Sequence, residues 1–365
     1  MPTENFTVGV EEEFHIVDGE SLALRSAVRS VLGSARRVLG EQVQAELLDP
    51  QIEVETGVCD TLDDVRLELT RLRTGLVAAA QAQGRRIMAS GTHPFSPWQD
   101  HGVTPKPRYQ QLADDYRQLA REQQVCACHV HVGVTDPDEA VQVMDRTRPW
   151  LAVLLALCAN SPFWQGEDTG YASFRILVFD RWPTTGTPLP LGSRAAFDMV
   201  AADLLATGVM RDMGALYWDV RPSARYPTLE FRIADVCPTV DEAVMLAGLT
   251  RSLVRTTHAQ LGRDEPLVHI RPEVLRAARW QASRHGLDAA LVDPDGPRPV
   301  PAAELVERLL GTLRDDLEDH GEWDEISTLV SRQLGQGSGS RRQREVAERG
   351  GGLEAVAEHL LVPIP

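Results

Sequence analysis

Acidic and basic side chains occur at alternating positions in four short, β-rich segments of the chain. Alternate residues of a strand project from the same face of a sheet, so each pair presents two functional groups side by side. The pairs are Glu11 with Glu13, Glu53 with Glu55, His129 with His131, and Glu230 with Arg232. Carboxylates and imidazoles bind divalent cations, and two acidic faces in one sheet repel each other unless cations lie between them. The spacing therefore predicts a sheet face that binds metal.

Each pair also has a structural interpretation when it is taken alone. Two alternating glutamates are typical of a solvated strand face, and two histidines of hydrogen-bonded sheet residues. Glu230 and Arg232 are typical of an ion pair, whereas the functional interpretation has Glu230 on metal and Arg232 on a phosphate or carboxylate oxygen. Glu12 is expected on the opposite face from its neighbours. Cys126 and Cys128 are expected opposite the histidines, where core packing is favoured over zinc binding.

Periodicity and turn residues predict the elements that position these groups. The predicted strands are 7–17, 50–59, 86–95 (with a turn), 125–134, 172–182 and a hairpin at 217–237 whose second strand is 228–236. The predicted helices are 25–40, 62–84 with Asp60 or Thr61 as its cap, 108–124, and one that starts at 135–139 and leads into an apolar core helix at 150–159. Beyond about residue 240 we expect mostly helix, except for a mobile loop at 335–344.

This mixture of elements lacks regular βαβ alternation and internal repeats. It predicts an α+β fold with a mostly antiparallel sheet, one face covered by helices and the other available for ligands. We expect a single domain over residues 1–365, with core motifs at 9–238 and a mostly helical remainder at 239–365.

The composition excludes several classes of function. A formal net charge of −16 and a pI near 5.1 disfavour nucleic-acid and anionic-membrane partners. The first residues resemble no secretion signal, and no stretch of eighteen apolar residues occurs, so a soluble cytoplasmic protein is expected. Five irregularly spaced cysteines predict reduced thiols.

Lys106 is the only lysine in the sequence, and it lies in the loop-like segment TPKPRY. A Walker-type phosphate loop is absent from the sequence, and a Schiff-base mechanism would depend on this one residue. If the protein binds a nucleotide, arginines and metal must hold its phosphates.

Nine segments in order along the chain resemble the carboxylate–amine ligase family that is also called glutamate–cysteine ligase type 2. They are GVEEEF, QIEVETGVC, GTHPF, HVHVG, NSPFWQGEDTGYASFR, YWDVRPS and TLEFRIAD, followed by RHGLD at 284–288 and RQR at 342–344. The resemblance implies a fold like the catalytic domain of glutamine synthetase, with a curved, largely antiparallel sheet. It also implies ATP and Mg²⁺, or Mn²⁺, on the concave side of that sheet.

The resemblance further implies roles for individual residues. Glu13 and Glu53 would bind one magnesium ion, and Glu11, His129 and Glu230 the second, while His131 and Arg232 would face the phosphates. The implied reaction transfers the γ-phosphate of ATP to a carboxylate, and an amine then attacks the acyl phosphate. Cationic contacts for the carboxylate donor or the nucleotide are expected from Arg175, Arg221, Arg342 and Arg344, and the segment 335–344 is expected to close over the site.

Three alternatives remain open at this point. The chain could join glutamate to cysteine, or act on a specialised metabolite or peptide; it could be a related small-molecule kinase; or it could bind metabolites without turnover. The resemblance implies a homodimer. Glu55, Cys126 and Cys128 depart from the usual pattern of the family, which leaves the identity of the substrates open.

Overall fold

The computed structural model describes residues 6–363, which form a large antiparallel sheet, two small hairpins and many helices. The strands are β1 (Val8–Asp18), β2 (Val43–Ala45), β3 (Gln51–Glu55), β4 (Arg85–Met88), β5 (Ala127–Gly133), β6 (Phe163–Trp164), β7 (Glu167–Asp168), β8 (Val220–Pro222), β9 (Thr228–Asp235), β10 (Ala290–Val292) and β11 (Pro299–Pro301). The helices up to residue 206 are α1 (Val28–Leu39), α2 (Leu62–Gln81), α3 (Pro107–Tyr116), α4 (Gln118–Arg121), α5 (Pro137–Thr147), α6 (Leu151–Leu157), α7 (Phe174–Phe179) and α8 (Arg194–Ala206). The later helices are α9 (Val240–Gly262), α10 (Pro272–His285), α11 (Ala302–Thr312), α12 (Arg314–Asp319), α13 (Trp323–Gln336), α14 (Gly339–Val346) and α15 (Gly352–His359).

The main sheet has the strand order β2-β3-β1-β5-β9-β8, and β4 also pairs with β1. All of its ladders are antiparallel, which confirms the predicted α+β class. The ladders place Glu13 opposite Glu53, and Glu11 opposite both Glu55 and His129. The four segments predicted to carry chemistry therefore lie on neighbouring strands.

Strand β1 has one face toward the helices and one toward a cavity. Val8, Val10 and Phe14 are buried in the hydrophobic core, while Glu11 and Glu13 alternate with them on the other side. Glu12 lies among the core residues, where its carboxylate pairs with Arg73 of α2; the Arg73 Nε to Glu12 Oε2 distance is 2.9 Å. The predicted orientation of Glu12 is confirmed, and its buried charge is compensated by a guanidinium.

Helix α2 begins as predicted, and Thr61 rather than Asp60 is its N-cap. The Thr61 hydroxyl accepts from the Asp64 backbone N–H at 3.1 Å, and the Asp64 carboxylate accepts from the Thr61 backbone N–H at 3.0 Å. This reciprocal pair is a capping box. It fixes the start of the helix that carries Arg73 against the back of β1.

The predicted strand at 172–182 is wrong, because residues 174–179 form helix α7. The side chain of Ser173 caps this helix by accepting from the Ile176 N–H. The helical spacing puts Arg175 and Phe179 on one face, with the guanidinium 5.3 Å from the ring centroid. The β-branched and aromatic composition misled the prediction, since tertiary packing overrides strand propensity.

The predicted mobile loop at 335–344 is also wrong. Residues up to Gln336 continue α13, and α14 starts at Gly339, whose backbone packs so closely on Asn160 that a Cβ atom there would clash. Ser340 and Gln343 are buried, and the Gln343 amide donates to Asn160 Oδ1 at 2.7 Å. Glycine in this segment permits close packing instead of flexibility.

The other element predictions hold in outline. The hairpin at 217–237 is β8–β9, and the apolar segment at 150–159 contains the buried helix α6. The C-terminal part is mostly helical, with the additional small hairpin β10–β11. Within residues 6–363, the structure has no helix that is both long and apolar enough to cross a bilayer.

Candidate active site

A cavity of about 230 Å³ opens on the sheet face opposite the helical core. Its floor comes from the outward-facing residues of β1, β3, β5, β8 and β9, and its walls from α3, α7 and the turn between β8 and β9. Nine residues of the sequence prediction line it: Glu11, Glu13, Glu53, His129, His131, Arg175, Arg221, Glu230 and Arg232. The structure thus brings together on one surface residues that are more than 200 positions apart in the sequence.

One group of carboxylates at the floor consists of Glu13, Glu46 and Glu53, which offer oxygen atoms within 4.8 Å of one another. Burial, together with the charge of Glu46, raises the pKa of Glu13 to about 8. Burial and the surrounding carboxylates also raise the pKa of Glu53 well above its ordinary value. Three crowded carboxylates that resist ionisation are a suitable oxygen site for a hard divalent cation, which would remove the repulsion.

A second group consists of Glu11, His131 and Glu230, whose ligand atoms also lie within 4.8 Å of one another. His131 Nε2 is 3.1 Å from Glu11 Oε1, and its Nδ1 is 2.9 Å from the Thr228 hydroxyl. Burial raises the pKa of Glu11, but hydrogen bonds from both histidines outweigh this and hold it well below its ordinary value. The group therefore contains a carboxylate that is ionised at neutral pH.

His129 lies between the two groups. Its Nδ1 is 3.0 Å from Glu11 Oε2, and because an ionised carboxylate can only accept, Nδ1 carries the proton. Its Nε2 is buried without a hydrogen-bond partner among residues 6–363, and lies 4.0 Å from Glu13 Oε1. An unprotonated, unpartnered imidazole nitrogen beside a carboxylate is a free metal-ligand position.

The pairing of residues into metal groups differs from the one that the family resemblance implies. The structure groups His131, instead of His129, with Glu11 and Glu230, and the free nitrogen of His129 faces Glu13. It also adds Glu46 to Glu13 and Glu53. The individual ligand roles of these residues stay predictions.

Arg221 and Arg232 flank Glu230. Arg221 Nε donates to Glu230 Oε2 at 2.9 Å, and Arg232 donates to Glu230 Oε1. Burial raises the pKa of Glu230, but the two guanidinium groups outweigh it and hold that pKa far below the ordinary value. The Arg232 Nε atom is buried with no partner in the described part of the chain. Glu230 thus stays ionised, and Arg232 keeps a donor for another oxygen atom.

One wall of the cavity is largely aromatic, and two unsatisfied polar atoms lie near it. The wall consists of Tyr109, Leu112, Phe179, Trp182 and Tyr217. Arg175 donates to the Arg232 carbonyl at 3.1 Å, while its buried Nε has no partner in residues 6–363. Gln123 donates through Nε2 to the Val178 carbonyl at 3.1 Å, and its buried Oε1 is similarly unpaired over that range. One unused donor and one unused acceptor near this wall suit a polar ligand that carries both groups.

Arg342 and Arg344 do not belong to the cavity lining. Arg342 Nη2 donates to both carboxylate oxygens of Glu242 at 2.9 Å, and Arg344 Nη2 donates to Asp168 Oδ1 at 2.7 Å. Their helix α14 is packed into the body of the protein. The structure therefore separates these two arginines from the other predicted site residues.

Sequence reasoning did not find Glu46 or Gln123. Glu46 follows β2 directly, and the alternation of Gln44 with Glu46 was the available signal. Gln123 lies between α4 and β5, where no periodicity identifies it. Glu55, whose role the sequence left open, lines the cavity and accepts a hydrogen bond from Gln44 Nε2 at 3.2 Å.

Comparisons with known sequences all indicate glutamate–cysteine ligase family 2. The model of glutamate–cysteine ligase family 2 matches residues 7–359. A Frankia alni protein named "Putative glutamate–cysteine ligase 2-2" is 43% identical over 373 residues, which cover 98% of this chain and 97% of that protein. A Rhodopirellula baltica protein named "Putative glutamate–cysteine ligase 2" is 39% identical over 360 residues, with 97% and 96% coverage.

Solved structures share the fold at low sequence identity. A glutamate–cysteine ligase from Francisella tularensis in complex with AMP has a TM-score of 0.73 at 12% identity, covering 98% of this chain and 88% of that one. A bifunctional glutathione synthetase from Pasteurella multocida has a TM-score of 0.72 at 15% identity, covering 97% of this chain and 52% of that one.

Proposed function

Because the chain belongs to glutamate–cysteine ligase family 2 and is therefore a carboxylate–amine ligase, we propose that it uses ATP and Mg²⁺ to activate a carboxylate as an acyl phosphate. The observation that carries the proposal is the pair of ligand groups on one sheet face, each within 4.8 Å, next to arginines with unused donors. The description of the Francisella protein as an AMP complex supports an adenine nucleotide. Mn²⁺ would suit the same carboxylate and imidazole ligands.

The residues present fit two divalent cations. Glu13, Glu46 and Glu53 would hold one ion through oxygen atoms, and Glu11, His131 and Glu230 the other, with the free His129 nitrogen between them. Bound cations would supply charge neutralisation for the phosphate oxygens. Burial and mutual repulsion, which together raise the pKa values of these carboxylates, are the physical reason to expect cations there.

The arginines are placed to act on charge that develops during phosphoryl transfer. In the proposed reaction a substrate carboxylate oxygen forms a bond to the γ-phosphorus of ATP, the bond to the β-phosphate oxygen breaks, and ADP leaves. The amine nitrogen then attacks the acyl carbon, phosphate leaves, and a proton is released from the nitrogen. Arg232 would bind the transferring phosphoryl oxygens, because its buried Nε is unpaired and Glu230 orients the guanidinium.

The aromatic wall of the cavity would bind the amino-acid substrates. An unused acceptor on Gln123 suits an ammonium group, and an unused donor on Arg175 suits a carboxylate. Glutamate as donor and cysteine as acceptor are our first choice, in line with the names of the relatives. Another amine, including that of a specialised metabolite or a peptide, would use the same chemistry.

The test measures phosphate release by the purified protein with Mg²⁺, ATP and glutamate, first with cysteine and then with a panel of amines. Cysteine-dependent release that Glu13→Gln abolishes would support the synthesis of γ-glutamylcysteine. Glu41→Gln is the matched control, because the Glu41 side chain is 91% exposed and lies outside the cavity lining.

The remaining outcomes separate the alternatives. Release with a different amine keeps the ligase mechanism and discards cysteine. ATP consumption that needs no amine contradicts the ligase proposal and indicates a kinase, while ATP binding with no turnover indicates a metabolite-binding protein. A homodimer, which the family resemblance implies, is checked by sedimentation, and a cytoplasmic location, which the sequence predicts, by cell fractionation.

A further inference from the structure

Glu46 differs from the other carboxylates of the floor because no strand holds it. Strand β2 ends at Ala45, so the position of the Glu46 side chain depends on contacts from other segments. Its Oε2 accepts from the Leu47 backbone N–H at 3.0 Å, and its Oε1 lies 3.3 Å from the Tyr109 hydroxyl. Tyr109 belongs to α3, more than sixty residues further along the chain.

The Tyr109 hydroxyl lies near a second acceptor, which already has another hydrogen-bond donor. The Ala45 carbonyl lies 3.1 Å from this hydroxyl, but it also accepts from Lys106 Nζ at 2.7 Å. The Lys106 ammonium lies 4.9 Å from the centroid of the Tyr109 ring, so the lysine steadies both partners. The Tyr109 hydroxyl can therefore donate to the carboxylate of Glu46 without leaving the Ala45 carbonyl unpaired.

We propose that Tyr109 is a positioning residue that holds the carboxylate of Glu46 toward Glu13 and Glu53, so that the three form a preorganised cation site. Without this hydrogen bond, the Glu46 side chain loses its contact with helix α3 and can rotate away from Glu13 and Glu53. The inference rests on the proposed function, because it assumes that the carboxylates bind an ion. Tyr109 also lines the aromatic wall, so the same side chain joins the cation site to the pocket expected to bind the amino acids.

Helix α3 provides a matched pair of variants. Tyr109→Phe and Tyr116→Phe each remove one hydroxyl that donates to a backbone carbonyl, of Ala45 and Val209 respectively, but only Tyr109 contacts Glu46. Mn²⁺ binding to each purified full-length protein is followed by calorimetry. Partners of metal ligands typically contribute about 10- to 100-fold in affinity. We expect Tyr109→Phe to weaken the binding of one of the two ions by about tenfold and the binding of the other by less than twofold. Tyr116→Phe should change the binding of neither ion.

A double-mutant cycle separates positioning from a general effect on packing. If Tyr109 acts through Glu46, then Tyr109→Phe weakens Mn²⁺ binding in the native background but has no further effect in Glu46→Gln. An equal effect in both backgrounds, or equal Mn²⁺ binding by the two tyrosine variants, would overturn the proposal. Should Tyr109→Phe not fold, Glu46→Gln alone decides: unchanged Mn²⁺ binding removes the site that Tyr109 is proposed to organise.

The experiment distinguishes this inference from the proposed function. Mn²⁺ binding that depends on Tyr109, combined with no amine-dependent turnover, supports the positioning role and contradicts the ligase reaction. Amine-dependent turnover, combined with Mn²⁺ binding that does not depend on Tyr109, supports the ligase reaction and contradicts the positioning role. Native protein that binds no Mn²⁺ contradicts both.

Discussion

The crowded carboxylates predict that cation binding displaces protons. At pH 7 a group with a pKa of about 8, as for Glu13, is about nine-tenths protonated. A carboxylate must lose its proton to act as a ligand. Binding of one ion to Glu13, Glu46 and Glu53 should therefore release at least about 0.9 proton at pH 7, because the pKa of Glu53 is raised as well. Below pH 8 the ion affinity should rise by about tenfold per pH unit for each proton that is released.

Titration calorimetry in two buffers of different ionisation enthalpy measures this release directly. The apparent heat of Mn²⁺ or Mg²⁺ binding should differ between the buffers, and the difference divided by the difference in ionisation enthalpy gives the number of protons. His131, whose pKa is also raised because its hydrogen bond to Glu11 outweighs burial, adds a contribution from the second group. Glu13→Gln preserves that contribution and removes the one from Glu13.

The result that would refute the reasoning is specific. If ions bind at pH 7 with the same heat in both buffers, the carboxylates are already ionised in the metal-free protein. The pKa values of Glu13 and Glu53 would then not be raised by burial and crowding, which is the premise of this prediction. Equal proton release by native protein and Glu13→Gln would place the titrating group elsewhere.

Three further predictions follow from the packing. The raised pKa of Glu13 contributes to the stability of the metal-free fold below pH 4.5, the ordinary pKa of the group, and this contribution should be lost as the pH rises to about 8. Urea unfolding at several pH values measures the loss. A free energy of unfolding that stays constant over this range would contradict the prediction. Arg73→Met should cost about 3–5 kcal/mol by the same assay, because it leaves Glu12 buried and unpaired, and a cost below about 1 kcal/mol would show that water reaches the pair. All five cysteine thiols are buried, so a thiol reagent should label none of them before unfolding, and rapid labelling of the native protein would be inconsistent with the packing.

The part of the site that could be predicted from sequence is the part governed by a local period. On a strand, residues two apart share a face whatever the rest of the fold does, so Glu11 with Glu13 and His129 with His131 were placed correctly on the cavity face. The antiparallel sheet then brings those faces together by register, with Glu13 opposite Glu53. The family resemblance supplied the expectation that these segments belong to one largely antiparallel sheet.

The choice between the two histidines could not be made from sequence. The ladder between β5 and β9 has a register irregularity between Cys128 and Val130, and beyond it His131 stands opposite Glu230. An irregularity of this kind changes which imidazole reaches a given carboxylate. Glu46 was missed for a related reason, since its place in the site depends on contacts from α3 that no local pattern reveals.

The elements that were predicted wrongly are those in which composition and packing disagree. Residues 174–179 have a strand-like composition, but a serine cap and the burial of Arg175 favour a helix. Gly339 lies in a sequence typical of a flexible linker, yet it is needed where the backbone approaches Asn160. In both cases a long-range contact, absent from the local sequence, determines the structure.

The three consecutive glutamates of β1 depend on one another through the register of the strand. Two of them face the cavity, while the middle one, Glu12, is paired on the core side with Arg73, which also donates to the carbonyl of Cys237 at 2.8 Å. A slip of one residue would put Glu11 and Glu13 against the helices, where a single guanidinium cannot compensate both, and would leave one carboxylate on the cavity face. Replacing both Glu12 and Arg73 by apolar residues should therefore affect the stability of the core less than it affects the arrangement of the site. The buried ion pair behind the sheet thus favours the register in which Glu11 and Glu13 face the cavity.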